Sequence, residues 1–164
     1  MKAAIKNYLR ESSELISCLA KDPPDEIQLI AQVIINAFKS KSKVLIFGNG
    51  GSAADAQHFA AELVGRFKKE RRGLAAIALT TNTSTLTALA NDYDFDMIFK
   101  RQIEALGAKG DIAIGISTSG QAPNVISGLN IAREMGLTTV ALSGQSGTNL
   151  IDSTDISLLI PCIN

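Results

Sequence analysis

Glycine and hydroxyl side chains stand together at residues 48–52, where the chain reads G-N-G-G-S. Glycine lets the backbone come close to an anion, and the first N–H groups of a helix that begins at Ser52 have no partner within that helix. A turn of this kind before a helix binds phosphate, and the helix dipole assists. The segment lacks the lysine of a P-loop and the spacing of a dinucleotide fingerprint, so an ordinary glycine turn is the alternative interpretation.

A second pair of candidate residues follows this turn. His58, the single histidine of the chain, and Glu62 are four residues apart and would share one face of a helix. Glu62 is a candidate general base and His58 a candidate metal ligand or polar partner, although a lone histidine on an alanine-rich helix can also be a packed or capping residue. Ten residues separate Ser52 from Glu62, about 15 Å along a helix axis. One substrate would reach both only if it were a long sugar phosphate or if the site were shared between subunits.

Further hydroxyl groups follow other predicted strands. The chain reads Thr80-Thr81 after one strand, S-T-S-G at 117–120 after the next and Ser143-Gly144 after a fourth. Ligands of an open parallel sheet bind beyond the carboxyl ends of its strands, so these segments would meet at one edge. Hydroxyl and backbone N–H groups can surround a phosphate without a cationic side chain. The set as a whole therefore favours a phosphate site over isolated helix caps.

The elements that would position these residues alternate along the chain. Short apolar runs predict five strands, and segments with helical periodicity or helix boundary signals predict the helices between them. This βαβαβ order predicts an α/β fold, a three-layer α/β/α sandwich with a five-stranded parallel sheet, Rossmann-like or flavodoxin-like. We expect strands at 44–47, 75–79, 111–116, 139–142 and 156–160, a helix that begins at Ser52, and further helices at 86–90, 97–106 and 123–135.

Two amphipathic helices, at 5–19 and 26–38, precede the first strand. A small sheet does not easily cover the apolar faces of both, so one of them is a candidate oligomer contact, and packing within the chain is the alternative. We expect a single domain over 1–164, with N-terminal helices in 1–40 and the α/β core in 43–161.

Composition narrows the class of protein. The 164 residues carry a net charge of zero, 5% aromatic residues and no tryptophan, which disfavours nucleic-acid binding. No apolar run is long enough to span a membrane, and the charged N-terminus is unlike a signal peptide. Cys18 and Cys162 form no C-x-x-C motif, so we expect free thiols in a reducing cytoplasm.

The segments GNGGSAADAQHFAAELVGRF, AIALTTNTSTLTALANDYDFDMIFKRQIEALG and GDIAIGISTSG together resemble the phosphoheptose isomerase family of sugar isomerase (SIS) domains. The resemblance covers nearly the whole chain. It implies an aldose–ketose isomerase that converts sedoheptulose 7-phosphate to D-glycero-D-manno-heptose 7-phosphate through an enediol. It also implies a homotetramer with active sites between subunits, and an early role in making ADP-heptose for the lipopolysaccharide core or related glycans.

The resemblance also implies roles for individual residues. Glu62 would be the base that moves the proton between C1 and C2 of the sugar. With His58 it would also be a ligand of the zinc ion that some members of the family bind. The phosphate would be held by Ser52, Ser117, Thr118 and Ser119, and the sugar would be bound by Asn49, Gly50, Gly51, Asn91 and Asp92.

The sequence departs from the family pattern in two places. The family commonly continues the S-T-S-G segment with Asn-Ser, whose serine also meets the phosphate, whereas this chain has Gln121-Ala122. The family also continues after the last strand with a helix whose Gln and His complete the metal site, the His being a second acid/base group. This chain ends at Asn164, and our hypothesis is that it is truncated.

Two other functions remain as alternatives. A related SIS protein is not catalytic and binds a replication-initiator protein, but it lacks a carboxylate at the position of Glu62, which favours the enzyme. A sugar-phosphate-sensing SIS domain of a transcription regulator usually follows a DNA-binding domain, whereas here two helices precede the first strand.

Overall fold

The computed structural model describes residues 1–161 and contains one parallel five-stranded sheet. The spatial strand order is β2-β1-β3-β4-β5, so the chain reverses its direction of winding between β2 and β3. All neighbouring pairs are parallel. The strands are β1 (Val44–Gly48), β2 (Ala76–Ala78), β3 (Ile112–Ser117), β4 (Thr138–Gly144) and β5 (Ile156–Ile160).

Helices cover both faces of this sheet and produce two separate apolar cores. The side chains of β1 alternate between them: Leu45 and Phe47 point to one core, Val44 and Ile46 to the other. The predicted three-layer α/β/α sandwich is therefore confirmed. The helices are α1 (Lys2–Lys21), α2 (Asp25–Lys39), α3 (Gly51–Val64), α4 (Thr83–Asp92), α5 (Lys100–Leu106) and α6 (Pro123–Glu134), with α2 and α3 on one face and α5 and α6 on the other.

Several elements differ from the predicted ones. β2 is only three residues long, and α4 is twice the predicted length because the Asn82 side chain caps it by accepting from Thr85 N at 3.0 Å. The helix predicted over 97–106 is divided into a short 3₁₀ helix, Phe95–Met97, and α5. A 3₁₀ helix at Thr148–Ser153 was not predicted, since one or two turns leave no readable apolar period.

The two N-terminal helices behave differently. α2 buries Ile30, Ile34 and Ala37 in the core that it shares with α3. α1 buries no residue, and its apolar side chains Leu9 and Ile16 are both about two-thirds exposed. Packing within the chain therefore buries the apolar face of α2, whereas the apolar face of α1 stays exposed. Among the residues described, no helix is both long and apolar enough to cross a membrane.

Candidate functional site

The loops that follow β1, β3 and β4 meet at the carboxyl edge of the sheet and enclose a cleft of about 340 Å³. Hydroxyl and amide side chains dominate its wall. The cleft is lined by Asn49, Ser52, Ile116, Ser117, Thr118, Ser119, Ala122 and Ser146. The sequence predicted that these loops would meet, and all four residues expected to hold phosphate lie in this wall.

The β1–α3 turn brings its backbone against the neighbouring strand. A Cβ atom at Gly48 would lie 2.7 Å from the carbonyl oxygen of Ile116 and 2.8 Å from Cβ of Ser52, closer than real side chains approach. Only glycine therefore allows β1 to end beside β3 while α3 begins over the same spot. This close approach places Ser52, in the first turn of α3, next to the loop after β3.

The loops after β3 and β4 are locked to each other. Gly120 has a φ of +67°, and a Cβ there would lie 2.2 Å from Cα of Gly147 in the next loop. Ser143 Oγ donates to the carbonyl oxygen of Ser117 at 2.6 Å, and Gly144 N donates to that of Thr118 at 3.1 Å. These contacts hold the backbone of the hydroxyl-rich segment and leave the side chains of Thr118 and Ser119 on the cleft.

An amide pair links the first and second loops. Asn49 and Asn124 exchange two hydrogen bonds, each Nδ2 donating to the other Oδ1 at 2.9 Å. Asn124 is 1% exposed and occupies the first turn of α6, directly after Pro123 at the helix start. The pair thus ties the N-terminal end of α3 to that of α6.

The electrostatics of the cleft favour an anion. No residue of its wall carries a charged side chain, so a negative ligand meets no carboxylate there. Two helices, α3 with 14 residues and α6 with 12, begin beside it and each presents a positive dipole end. The first turn of α3 also offers unpaired N–H groups, whereas α6 begins with Pro123, which has no N–H. Together with the hydroxyls, these groups can bind a phosphate dianion without a lysine or arginine.

The predicted sugar-binding residues fall into two groups. Asn49 lines the cleft, and Gly50 and Gly51 lie in the same turn. Asn91 and Asp92 lie at the end of α4, both exposed, where Asn91 Nδ2 donates to Asp92 Oδ1 at 2.8 Å. They are absent from the wall of the cleft within this chain, so a ligand held in the cleft would have to extend beyond it, or another subunit would have to complete the site.

His58 and Glu62 share a face of α3, as their spacing predicted. The His58 Nε2 and Glu62 Oε1 atoms are 3.8 Å apart, with side chains 75% and 33% exposed. Neither lines the cleft. The Arg71 guanidinium fixes the end of the helix by donating to the carbonyl oxygens of Glu62 and Leu63, each at 2.8 Å. A carboxylate on a rigid, exposed helix face can take up a proton from a bound molecule.

The structure also places residues in the site that the sequence analysis missed. Ser146 lines the cleft from the loop after β4, and Asn124 holds Asn49. Asn124 directly follows a proline that signals a helix start, which was the available local signal. Thr80, predicted at this edge, instead ties β2 to α3: its hydroxyl accepts from Gln57 Nε2 at 3.2 Å.

A larger cavity of about 760 Å³ is lined by residues of β2, α4 and α5. Its wall is mostly apolar, with Ile77 and Leu89 among its residues, and contains the Arg101–Glu104 pair at 2.9 Å. The hydrogen bond to Glu104, with a smaller effect of Tyr93, raises the pKa of Arg101, which therefore stays cationic. The one carboxylate in this wall, Glu104, is paired with Arg101, whereas the smaller cleft carries the hydroxyl groups and helix N-terminal ends that suit a phosphate, so the smaller cleft is the better candidate for binding a sugar phosphate.

The residues described contain no group of three His, Cys, Asp or Glu side chains that could together hold a metal ion. The pair His58 and Glu62 offers two donors. Two ligands of a tetrahedral zinc ion, each about 2.1 Å from it, lie about 3.4 Å apart. The observed 3.8 Å is close to this value, so the two residues fit as part of a ligand set. Cys162 lies outside the described residues.

Comparison with known proteins identifies the family of the chain. Residues 7–144 match the family model of the SIS domain. A phosphoheptose isomerase of Aquifex aeolicus is 53% identical over 161 residues, which are 98% of this chain and 84% of the relative. One of Aliarcobacter butzleri is 48% identical over 161 residues, 98% of this chain and 85% of the relative.

Solved structures agree with these sequence matches. The phosphoheptose isomerase of Neisseria gonorrhoeae superposes with a TM-score of 0.92 at 38% identity, covering 99% of this chain and 87% of that protein. That of Francisella tularensis gives a TM-score of 0.94 at 36% identity, covering 99% and 86%.

Proposed function

The chain belongs to the phosphoheptose isomerases of the SIS-domain family, and from this membership we propose how its residues act. The protein is an aldose–ketose isomerase that interconverts sedoheptulose 7-phosphate and D-glycero-D-manno-heptose 7-phosphate. Its substrate is therefore a phosphorylated sugar. The observation that carries the proposed mechanism is the uncharged, hydroxyl-lined cleft at the start of the helix that also presents Glu62.

The phosphate group binds in the cleft of about 340 Å³. Ser52, Ser117, Thr118 and Ser119 hold it together with the first N–H groups of α3 and the positive dipole end of α6. Ser117 is itself 6% exposed, so its contribution comes mainly through the backbone. The sugar chain then runs past Asn49, Gly50 and Gly51, with Asn91 and Asp92 further along.

Glu62 moves the proton that the isomerisation requires. In the ketose, C1 carries the proton and C2 the carbonyl oxygen. Removal of the C1 proton by the Glu62 carboxylate gives an enediol, and return of that proton to C2 gives the aldose, while the hydroxyl proton passes from O1 to O2. The net change moves one proton between carbons and one between oxygens, so the overall charge is conserved.

The protein acts as a homotetramer with active sites between subunits. Two observations support this proposal. α1 is a 20-residue helix with no buried residue and with Tyr8, Leu9 and Ile16 exposed, which is unfavourable in water unless another surface covers it. Glu62 and the phosphate cleft lie at different positions along α3, and a neighbouring subunit can complete the space between them. Sedimentation equilibrium measures the assembly directly.

We propose zinc as the metal, with His58 and Glu62 as two of its ligands. A bound zinc ion would polarise the oxygen atoms of the sugar and so stabilise developing charge. His58 and Glu62 would orient it over the exposed face of α3. Metal analysis of the purified protein, compared with a His58→Ala variant, tests this assignment.

The reaction belongs to the early steps towards ADP-heptose for lipopolysaccharide, and the protein acts in the cytoplasm. The substrate class supports this placement, because a phosphorylated heptose is an intermediate of sugar metabolism. The alternative, a non-catalytic protein that binds a replication initiator, gains no support: each relative reported above is a phosphoheptose isomerase, and the carboxylate of Glu62 is present.

Turnover of sedoheptulose 7-phosphate in D₂O tests the mechanism. Proton transfer through an enediol exposes the proton to solvent, so nuclear magnetic resonance should detect deuterium at C2 of the aldose product. Glu62→Gln should lower kcat by about 10²- to 10⁴-fold, the usual contribution of a general base. Glu70→Gln, which makes the same change at a side chain 83% exposed in the segment after α3, is the matched control and should retain full activity.

Product without deuterium would exclude exchange of the proton with solvent and argue against Glu62 as a solvent-accessible base. Full activity of the Glu62→Gln variant would contradict its assignment outright.

A further inference from the structure

Asn124 is a buried polar side chain that the mechanism above does not use. It is 1% exposed, and its amide would cost several kcal/mol of folding free energy if it had no partner. Its partner is Asn49, 75 positions away in the chain, in the glycine turn after β1. Asn124 does not line the cleft, whereas Asn49 does.

The geometry of the pair determines what Asn49 can still do. A side-chain amide has two N–H donors and two lone pairs on its oxygen. The reciprocal bonds, both 2.9 Å, use one donor and one lone pair of each residue. Asn49 therefore keeps one N–H and one lone pair, and because both ends of its amide are held, its plane cannot rotate without breaking two bonds.

The pair also joins the two helix ends that bind the anion. Asn49 directly precedes the N-terminus of α3, and Asn124 lies in the first turn of α6. The strands that lead to them are neighbours in the sheet, with Gly48 paired to Ile116. The amide pair is thus a cross-brace between the β1–α3 turn and the loop after β3.

We propose that Asn124 is a positioning residue for the sugar phosphate: it presets the Asn49 amide and the distance between the two helix N-termini without touching the substrate. This inference rests on the proposed function of the cleft. It explains why an amide, and not a carboxylate, stands at this position. A carboxylate offers no donor to Asn49 Oδ1, and it would place a negative charge beside the phosphate site.

The Asn124→Asp variant tests the proposal because its effect depends on pH. When ionised, the introduced carboxylate breaks one of the two bonds and repels the ligand. When protonated, a carboxylic acid has one donor and one acceptor and can restore the reciprocal pair. Burial raises the pKa of this carboxyl group and the N-terminal end of α6 lowers it, so the pH at which the introduced group titrates is first located from the pH dependence of the variant's unfolding free energy.

The measurement is the dissociation constant of sedoheptulose 7-phosphate by calorimetry between pH 5.5 and 8, in a Glu62→Gln background that prevents turnover. We expect Asn124→Asp to weaken binding about tenfold or more at pH 8 relative to the background protein, about the value of one hydrogen bond to a charged ligand. The ratio should shrink towards one at pH 5.5. In the active background, KM should rise more than kcat falls.

Asn82→Asp is the matched control. It makes the same chemical change at another helix N-terminus of the same sheet edge, and aspartate is an equally good cap for α4. Its binding ratio should stay near one at every pH. Asn124→Ala is the second variant: it removes the partner without adding a titratable group, so binding should weaken by a similar factor at all pH values.

A binding ratio for Asn124→Asp that does not change across the titration of the introduced carboxyl group, or a loss of thermal stability in both Asn124 variants with unchanged binding by the folded protein, would overturn the proposal. Failure of the proposed function would look different. An active-background protein that binds the sugar phosphate without turning it over would contradict the isomerase mechanism while leaving the pH-dependent binding test intact.

Discussion

The amino and carboxyl edges of the central sheet are held by different kinds of hydrogen bonds, charged at the amino edge and neutral at the carboxyl edge. At the amino edge the Asp111 carboxylate, whose side chain is 4% exposed, accepts from Lys43 N at 2.9 Å, from Ala108 N at 2.8 Å and from the Lys43 ammonium. At the carboxyl edge the loops are held by neutral groups, the Asn49–Asn124 amides and the Ser143 hydroxyl.

This difference shows where a ligand can enter. At the amino edge three donors converge on one fixed acceptor, the buried Asp111 carboxylate, whose negative charge disfavours an anion there. At the carboxyl edge neutral bonds hold the backbone, while hydroxyls and helix N–H groups remain available around the cleft. A charged brace at that edge would either attract the phosphate to the wrong place or repel it. Substitutions at the two edges should therefore separate stability from binding.

The largest effect is expected at the amino edge. Asp111→Ala leaves the Lys43 ammonium and the N–H groups of Lys43 and Ala108 without their acceptor. Removing one partner of a buried pair costs about 3–5 kcal/mol of unfolding free energy. Urea unfolding followed by circular dichroism measures this loss.

The same variant should leave KM unchanged, because one strand length, about 15–20 Å, separates Asp111 from the cleft. A KM shift in the folded protein would show that the two edges are coupled. Glu70→Gln, which opens an exposed surface pair, is the control and should leave the unfolding curve unchanged.

Gly120→Ala should affect stability and binding together. The added Cβ would lie 2.2 Å from Cα of Gly147, and the φ of +67° is unfavourable for alanine. Backbone strain of this kind costs about 1–3 kcal/mol, and relief of the contact would move the hydroxyl-rich loop, so KM should rise as well.

Gly51→Ala is the matched stability control, since a Cβ there meets open space and its φ needs no glycine. Comparison of melting temperatures for the two variants tests whether the contact with Gly147 requires glycine at position 120. Equal stability in both would mean that the two loops can separate freely.

Ser119→Ala should weaken binding with little change in stability. Its hydroxyl lines the cleft and accepts only a long bond, 3.3 Å, from Gln121 N. Loss of one hydrogen bond to a charged phosphate costs about 1.5–3 kcal/mol, so KM should rise about tenfold or more while kcat changes less. Steady-state kinetics measure both. A fall in kcat alone would place Ser119 at the reacting carbons and not at the phosphate.

The smallest effect is expected for Ala122→Ser, which should increase both stability and substrate affinity. Ala122 precedes α6 and provides no side-chain cap, and it lines the cleft where the family pattern has a serine. Ala122→Ser should cap the helix, stabilising the fold by about 0.5–2 kcal/mol, and should add a phosphate contact that lowers KM severalfold. Thermal unfolding and kinetics test the two parts separately. A stability gain with unchanged KM would mean that Ser146 already fills the role of the missing hydroxyl.

Sequence reasoning performed best where structure is local. The five strands, the glycine turn before α3 and the proline at the start of α6 depend on neighbouring residues, and the structure confirms the five-stranded parallel sheet. The 3₁₀ helix at Thr148–Ser153 was missed because it is short, although its loop carries Ser146 into the cleft. The division at Phe95–Met97 was missed for the same reason.

The roles of Glu62, His58, Asn91 and Asp92, the zinc ion, the tetramer and the pathway all stay predictions. His58 and Glu62 lie on one face of α3, and Asn91 and Asp92 lie away from the cleft within one chain.

The sequence by itself determined the order of strands and helices and therefore the edge at which a ligand binds, because parallel strands must present their carboxyl ends together. Tertiary structure alone decided which side chains hold that edge in shape. Asn49 and Asn124 are 75 residues apart, and no local sequence pattern in either segment predicts that they form a pair. A hydrogen bond between distant segments forms only when packing of the strands between them has set the distance, and this is where the site acquires its geometry.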